Sequence, residues 1–109
     1  MDAVALVERY YESLDAHEYD ALEDVLAPEF VQQRPDRRFE DREAFVEFMR
    51  EDRPNKRTRH DLEDVLADGG RVAVRGRVVD DETGSALFEF ADVFELGDGR
   101  IVRLETYSR

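Results

Sequence analysis

The 109-residue chain contains no cysteine, one lysine and only 3 prolines. Without cysteine, disulfides, thiolate metal sites and cysteine nucleophiles are excluded. No apolar run approaches the ~20 residues that span a bilayer, and no signal peptide follows Met1, so the expectation is a cytoplasmic protein without a membrane partner. The prolines, Pro28, Pro35 and Pro54, all read as element ends. Basic residues are scarce: 16 against 28 acidic, a net charge of −12 at pH 7. A field of that sign repels phosphate backbones, so no nucleic-acid partner is expected.

What is present argues for one folded domain over residues 1–109. Hydrophobic residues make up 41% of the chain and include 7 Phe. No linker, repeat or low-complexity segment interrupts it. The acids are dispersed along the whole chain, and Lys56 is the only lysine beside fifteen arginines. That pattern resembles proteins of salt-loving archaea, where molar salt shortens the Debye length to ~3 Å and screens self-repulsion.

In its first half the chain follows helical spacing. Val4, Val7, Tyr11 and Leu14 predict a helix over Met1–His17. Asp20–Leu26 is a second, short helix capped by Asp20 and ended by Pro28. Phe30–Arg34 is a short strand with Phe30, Gln32 and Arg34 on one face, closed by Pro35. Pro35–Arg38 is a loop. Asp41 caps a third helix, Arg42–Glu51, with Phe45, Phe48 and Met49 on its apolar face. From Thr58 the period changes to two. Strands are expected over Arg59–Ala67, Arg71–Val79, Ala86–Leu96 and Arg100–Tyr107, with turns at Asp68-Gly69-Gly70, Asp80–Ser85 and Gly97-Asp98-Gly99. Three helices followed by an antiparallel meander are an α+β pattern.

The candidate site starts at Ala86–Leu96. Phe88, Phe90, Asp92, Phe94 and Leu96 share one face, apolar except at Asp92. A carboxylate in an apolar stripe is costly and needs a reason. An apolar setting raises its pKa, making it a hydrogen-bond donor for a developing oxyanion. Alternatively it pairs with Arg34 or bonds a backbone amide. Arg34, beside Gln32, can instead bind an anion bidentately. His60 is the proton carrier within reach, and it and His17 lack metal-ligand spacing, so no metal is expected. Gly76, on the inward face with Val74, either permits sheet curvature or leaves room for a ligand. Phe45, Phe48, Met49, Phe88, Phe90 and Leu104 line or underlie the pocket.

The order of elements, with the segments VERYYESLDAHEYDALEDVLAPEFV, FEDREAFVEFM and DVFELGDGRIVRLETY, resembles the NTF2-like superfamily, in its SnoaL-like and ketosteroid-isomerase-like branches. The resemblance implies a conical half-barrel of three N-terminal helices on a curved antiparallel sheet, a pocket at the open end, and a homodimer. It places the isomerases' oxyanion-hole Tyr at Tyr10, although periodicity favours Tyr11, and their oxyanion-hole Asp at Asp92. Their general-base Asp corresponds to Arg34, which cannot shuttle a proton at physiological pH. An acid that SnoaL-like cyclases carry near the end of the last strand is absent from Tyr107-Ser108-Arg109. If the family alignment holds, Val102, Leu104 and Thr106 face inward. The expected function is therefore a pocket for a small, partly apolar, anionic molecule, with isomerase, cyclase or lyase chemistry through an enolate-like intermediate and no cofactor. The rival is a non-catalytic ligand-binding or dimerisation module. Ala91, Val93 and Tyr107, with Arg75, Arg77, Glu89 and Glu95, form the expected dimer face.

Overall fold

In the computed structural model, which describes Met1 to Arg109, the first helix is α1, Ala3–Asp15. Asp2 starts it by accepting a hydrogen bond from the Ala5 N–H at 2.7 Å. His17, left-handed at φ 59°, turns the chain away two residues past its end. After α2, Tyr19–Val25, the chain runs directly into β1, Leu26–Gln33, so the strand begins earlier than Phe30 and includes Pro28. The register shifts between Leu26 and Val31, and this irregularity accommodates a residue without an N–H. A two-residue strand, β2 at Arg38–Phe39, pairs with β1 where a loop was expected.

The third helix is also interrupted. Asp41 caps α3, Arg42–Glu47, through the Ala44 N–H at 2.8 Å. Its continuation is not α-helical but a π-helical turn, Phe48–Asp52. The Arg53 N–H closes this turn on the Phe48 carbonyl, five residues back, at 2.8 Å.

The meander follows as β3 (Thr58–Asp68), β4 (Arg71–Asp80), β5 (Ala86–Gly97) and β6 (Arg100–Ser108). The six strands lie in the order β2-β1-β6-β5-β4-β3. The α+β class and the three helices on a curved, open sheet are as expected, but the sheet is mixed rather than antiparallel. β1 and β6 run parallel, because α3 and the whole meander intervene between them.

The core forms where the helices meet the sheet. Val7, Leu22, Leu26, Phe30, Phe45, Phe94, Ile101 and Leu104 are completely buried. Phe45 joins the two halves, its ring 5.1 Å from Phe30, 5.7 Å from Phe39 and 6.2 Å from Tyr10. On β6 the buried residue is Ile101 rather than Val102. A register shift at Glu95/Leu96 pairs Leu96 with Ile101 and Glu95 with Arg103, leaving Val102 out of step and half-buried.

Gly76 has a backbone role. An added Cβ would lie 2.4 Å from the Asp61 carbonyl oxygen on β3 and 3.0 Å from the Phe90 ring. Gly76 pairs with Leu62 beside the β3 bulge at Leu62/Asp64. The space that a side chain would need here is taken by the β3 backbone and the Phe90 ring.

Candidate functional site

Between the helices and the sheet lies a cavity of about 350 Å³. Its buried wall consists of Tyr10 and Leu14 from α1, Gln32 from β1, Met49, Val78, Phe90 and Asp92. His60 and Thr106 complete this end. Toward solvent come Phe48, Leu87 and Phe88, with Arg34, Asp36, Arg37, Arg53 and Asn55 around the rim. The charged rim is rich in arginine, and the buried wall carries a single carboxylate, Asp92.

Asp92 is 5% exposed and both its oxygens are engaged. Oδ2 accepts from the Tyr11 hydroxyl at 2.5 Å and Oδ1 from the Thr106 hydroxyl at 2.6 Å. Thr106 Oγ1 in turn accepts from Gln32 Nε2 at 2.9 Å. Burial raises the Asp92 pKa. The Thr106 and Tyr11 hydrogen bonds, and the charges of His60 and Arg34, act against the rise. Arg34 does not ion-pair with Asp92; the carboxylate is satisfied by hydroxyls instead.

The two adjacent tyrosines divide their tasks. Tyr11 is turned onto Asp92, and burial followed by the Asp92 charge drives its pKa far upward, so it remains a donor. Tyr10 lines the cavity, its ring edge-on to Tyr11 at 5.0 Å. Its hydroxyl has no hydrogen-bond partner in the protein. Burial and then Asp92 raise its pKa well above the usual value, while Arg34 and Arg53 pull the other way. Tyr10 thus presents a neutral O–H to the cavity.

His60 is held by Asp15 at the end of α1. Asp15 Oδ1 lies 2.6 Å from His60 Nδ1, and Oδ2 accepts the His60 backbone N–H at 2.9 Å. A carboxylate on Nδ1 fixes the ring and leaves Nε2 as the nitrogen able to exchange a proton. The ring packs edge-on against Phe90 at 5.4 Å and stands 5.1 Å from Tyr11.

The model of the SnoaL-like domain matches residues 7–104. The chain belongs to the SnoaL-like domain family. No curated protein matches it. Among solved structures, an NTF2-like protein of unknown function from Cytophaga hutchinsonii superposes with a TM-score of 0.86 at 17% identity, covering 100% of this chain and 91% of that one. A proposed ketosteroid isomerase from Kribbella flavida gives 0.79 at 21% identity, covering 96% and 76%. An LEH-like epoxide hydrolase of M. tuberculosis gives 0.80 at 20% identity, covering 98% and 82%. These likenesses show the fold.

In this SnoaL-like domain, the sequence candidates that line the cavity are Tyr10, Gln32, Arg34, Phe48, Met49, His60, Phe88, Phe90 and Asp92. Phe30, Phe45, Val74, Gly76 and Leu104 lie outside the lining. They are buried in the packing between sheet and helices, where apolar side chains fill the space. Tyr11, Thr106, Asp15 and Arg53 were missed as site residues. Helical periodicity already pointed to Tyr11, and the family resemblance placed Thr106 inward. Neither signal exists for Asp15 and Arg53, which stand at helix ends.

Proposed function

We propose that this SnoaL-like domain is a cofactor-independent enzyme that moves a proton next to a carbonyl group in a small, partly apolar, anionic molecule. The reaction class is isomerase, cyclase or lyase, through an enolate-like intermediate. One observation carries the reading: the Asp15–His60 pair opens on the same cavity as the unpartnered Tyr10 hydroxyl. His60 Nε2 takes the proton. Tyr10 donates to the developing oxyanion, and Asp92, when protonated, can do the same. Arg34 orients the anion. The rival, a non-catalytic binding module, draws support from Asp92, whose oxygens are already occupied by Tyr11 and Thr106.

Exchange of carbon-bound protons for deuterium in D₂O tests the reading without knowledge of the product. The probes are small apolar ketones, enones and β-keto acids, followed by NMR. Catalysed exchange in at least one probe is expected, falling at least ~10²-fold in His60→Gln, the usual contribution of a positioned general base. Absence of exchange across the panel, or equal rates in the variant, supports the module.

The dispersed acids also suit a salt-rich cytoplasm, and we read the outer sheet face around Ala91, Val93 and the exposed Tyr107 as a homodimer interface. Raising KCl from ~0.1 M to ~1 M shortens the Debye length from ~10 Å to ~3 Å and should raise the melting temperature. A flat or falling Tm removes the salt argument, and a monomeric mass by light scattering in the same series removes the dimer.

A further inference from the structure

We propose that Arg34 and Arg53 form a clamp for the carboxylate of an organic acid whose apolar body lies against Phe48, Met49 and Phe88. The inference rests on the cavity being a ligand site and names the class of ligand it takes.

Carboxylates outnumber basic residues in this chain, 28 to 16, so an arginine without one is unexpected. Nine of the fifteen arginines meet that expectation; Arg9, Arg34, Arg50, Arg53, Arg57 and Arg100 do not. Arg38 pairs with Glu40, Arg71 with Glu95, Arg75 with Asp64 and Arg109 with Glu89. Arg34 and Arg53 are half-buried, yet neither joins any of the chain's ion pairs. An unmatched charge costs most where water is excluded, and of these six arginines Arg34 and Arg53 are the two that line the cavity.

The atoms left over at Arg53 are specific. Nε and Nη2 are both buried and have no hydrogen-bond partner. Their N–H bonds lie on one edge of the guanidinium and point the same way. That edge matches the two oxygens of a carboxylate, forming two parallel charge-assisted hydrogen bonds.

Backbone geometry puts both arginines at one rim. Arg53 closes the π-helical turn and precedes Pro54; Arg34 precedes Pro35 and donates its N–H to the Arg37 carbonyl. The residue before proline is biased to extended conformations, which ends the preceding element and leaves the side chain free to reach the cavity. Both arginines line the same cavity as Tyr10. The acids nearby are committed elsewhere. Asp92 is held by Tyr11 and Thr106, and Asp36 lies beside Arg37, which itself stacks on Phe48 at 4.5 Å.

Isothermal titration with 3-phenylpropanoate and its uncharged counterpart 3-phenylpropanamide tests the clamp. Wild type should bind the acid at least ~10-fold more tightly, since hydrogen bonds to charged groups are strong enough for that ratio. Arg34→Met and Arg53→Met should each reduce the preference, and the double variant should abolish it. Arg53→Lys, which keeps charge but loses the fork, should not restore it. Equal binding of acid and amide by wild type overturns the clamp and requires no variant to fold. So does a preference that survives in the folded double variant, or tight binding of inorganic phosphate in place of the acid. Selective acid binding without proton exchange removes the catalytic reading and supports the clamp. Proton exchange in neutral ketones without charge preference overturns the clamp and leaves catalysis standing.

Discussion

Asp92→Ala should lower stability by about 2–4 kcal/mol, because it strands the buried Tyr11 hydroxyl and the half-buried Thr106 hydroxyl at once. Tyr11 and Thr106 both donate to this carboxylate, and Gln32 is tied to it through Thr106. An unsatisfied buried donor costs about 1–3 kcal/mol. Removing the carboxylate also relieves its own burial, which keeps the total below the sum of two full penalties. For a domain near this length the loss corresponds to a fall in Tm of roughly 10–25 °C. Asp92→Asn should cost less, since its carbonyl oxygen still accepts one of the two bonds. Urea denaturation of both variants measures the difference, and an Ala variant as stable as Asn would refute the network.

The same position has a pH signature. Burial raises the Asp92 pKa in the folded state, so the native chain binds its proton more tightly than the unfolded chain. The stability gained from that preference is fully present below the unfolded carboxylate range. It is lost as pH rises through the higher folded value. Wild type should therefore lose ground to Asp92→Asn as pH rises through that window. A wild type that gains on the variant would mean that the hydroxyl donors outweigh burial.

Gly76→Ala should be at least as damaging, about 3 kcal/mol or more. Overpacking normally costs about 1–3 kcal/mol because side chains can give way. Here the added methyl would lie 2.4 Å from a backbone carbonyl oxygen, Asp61 O, so the two strands themselves must separate. Separation would disturb the β3–β4 ladder beside the Asp15–His60 pair. Gly97→Ala is the control: its Cβ would meet only the Val102 side chain at 3.5 Å, an ordinary contact. Denaturation midpoints for the pair should differ clearly, and similar values would show that β3 can move aside.

How far the residues announced these features depends on the range of the interaction. Period-two alternation over Ala86–Leu96 identified β5 and its buried acid, since one face of a strand is decided locally. The capping residues Asp2 and Asp41 act within three positions; the sequence reading used Asp41 as such a signal. β1 was cut short because Pro28 reads as a terminator. A strand irregularity that tolerates it depends on β6, far along the chain. The Arg53 fork was hidden because the π-turn that delivers it carries no helical period of its own. Periodicity within α1 favoured Tyr11, but that its hydroxyl reaches Asp92 on β5 is a long-range contact that no spacing within α1 reports.

The parallel pairing of β1 with β6 makes the order of synthesis matter. Leu26 has its partner in Ile101, and Gln32 in Leu104. While the ribosome is still making the meander, the helices and β1 have no finished sheet to cover. Their apolar faces wait until the final strand arrives and slides between β1 and β5. Closure over so long an intervening segment is slow compared with hairpin formation. The nascent helical half is therefore the stage at which this chain is most open to aggregation or to a chaperone.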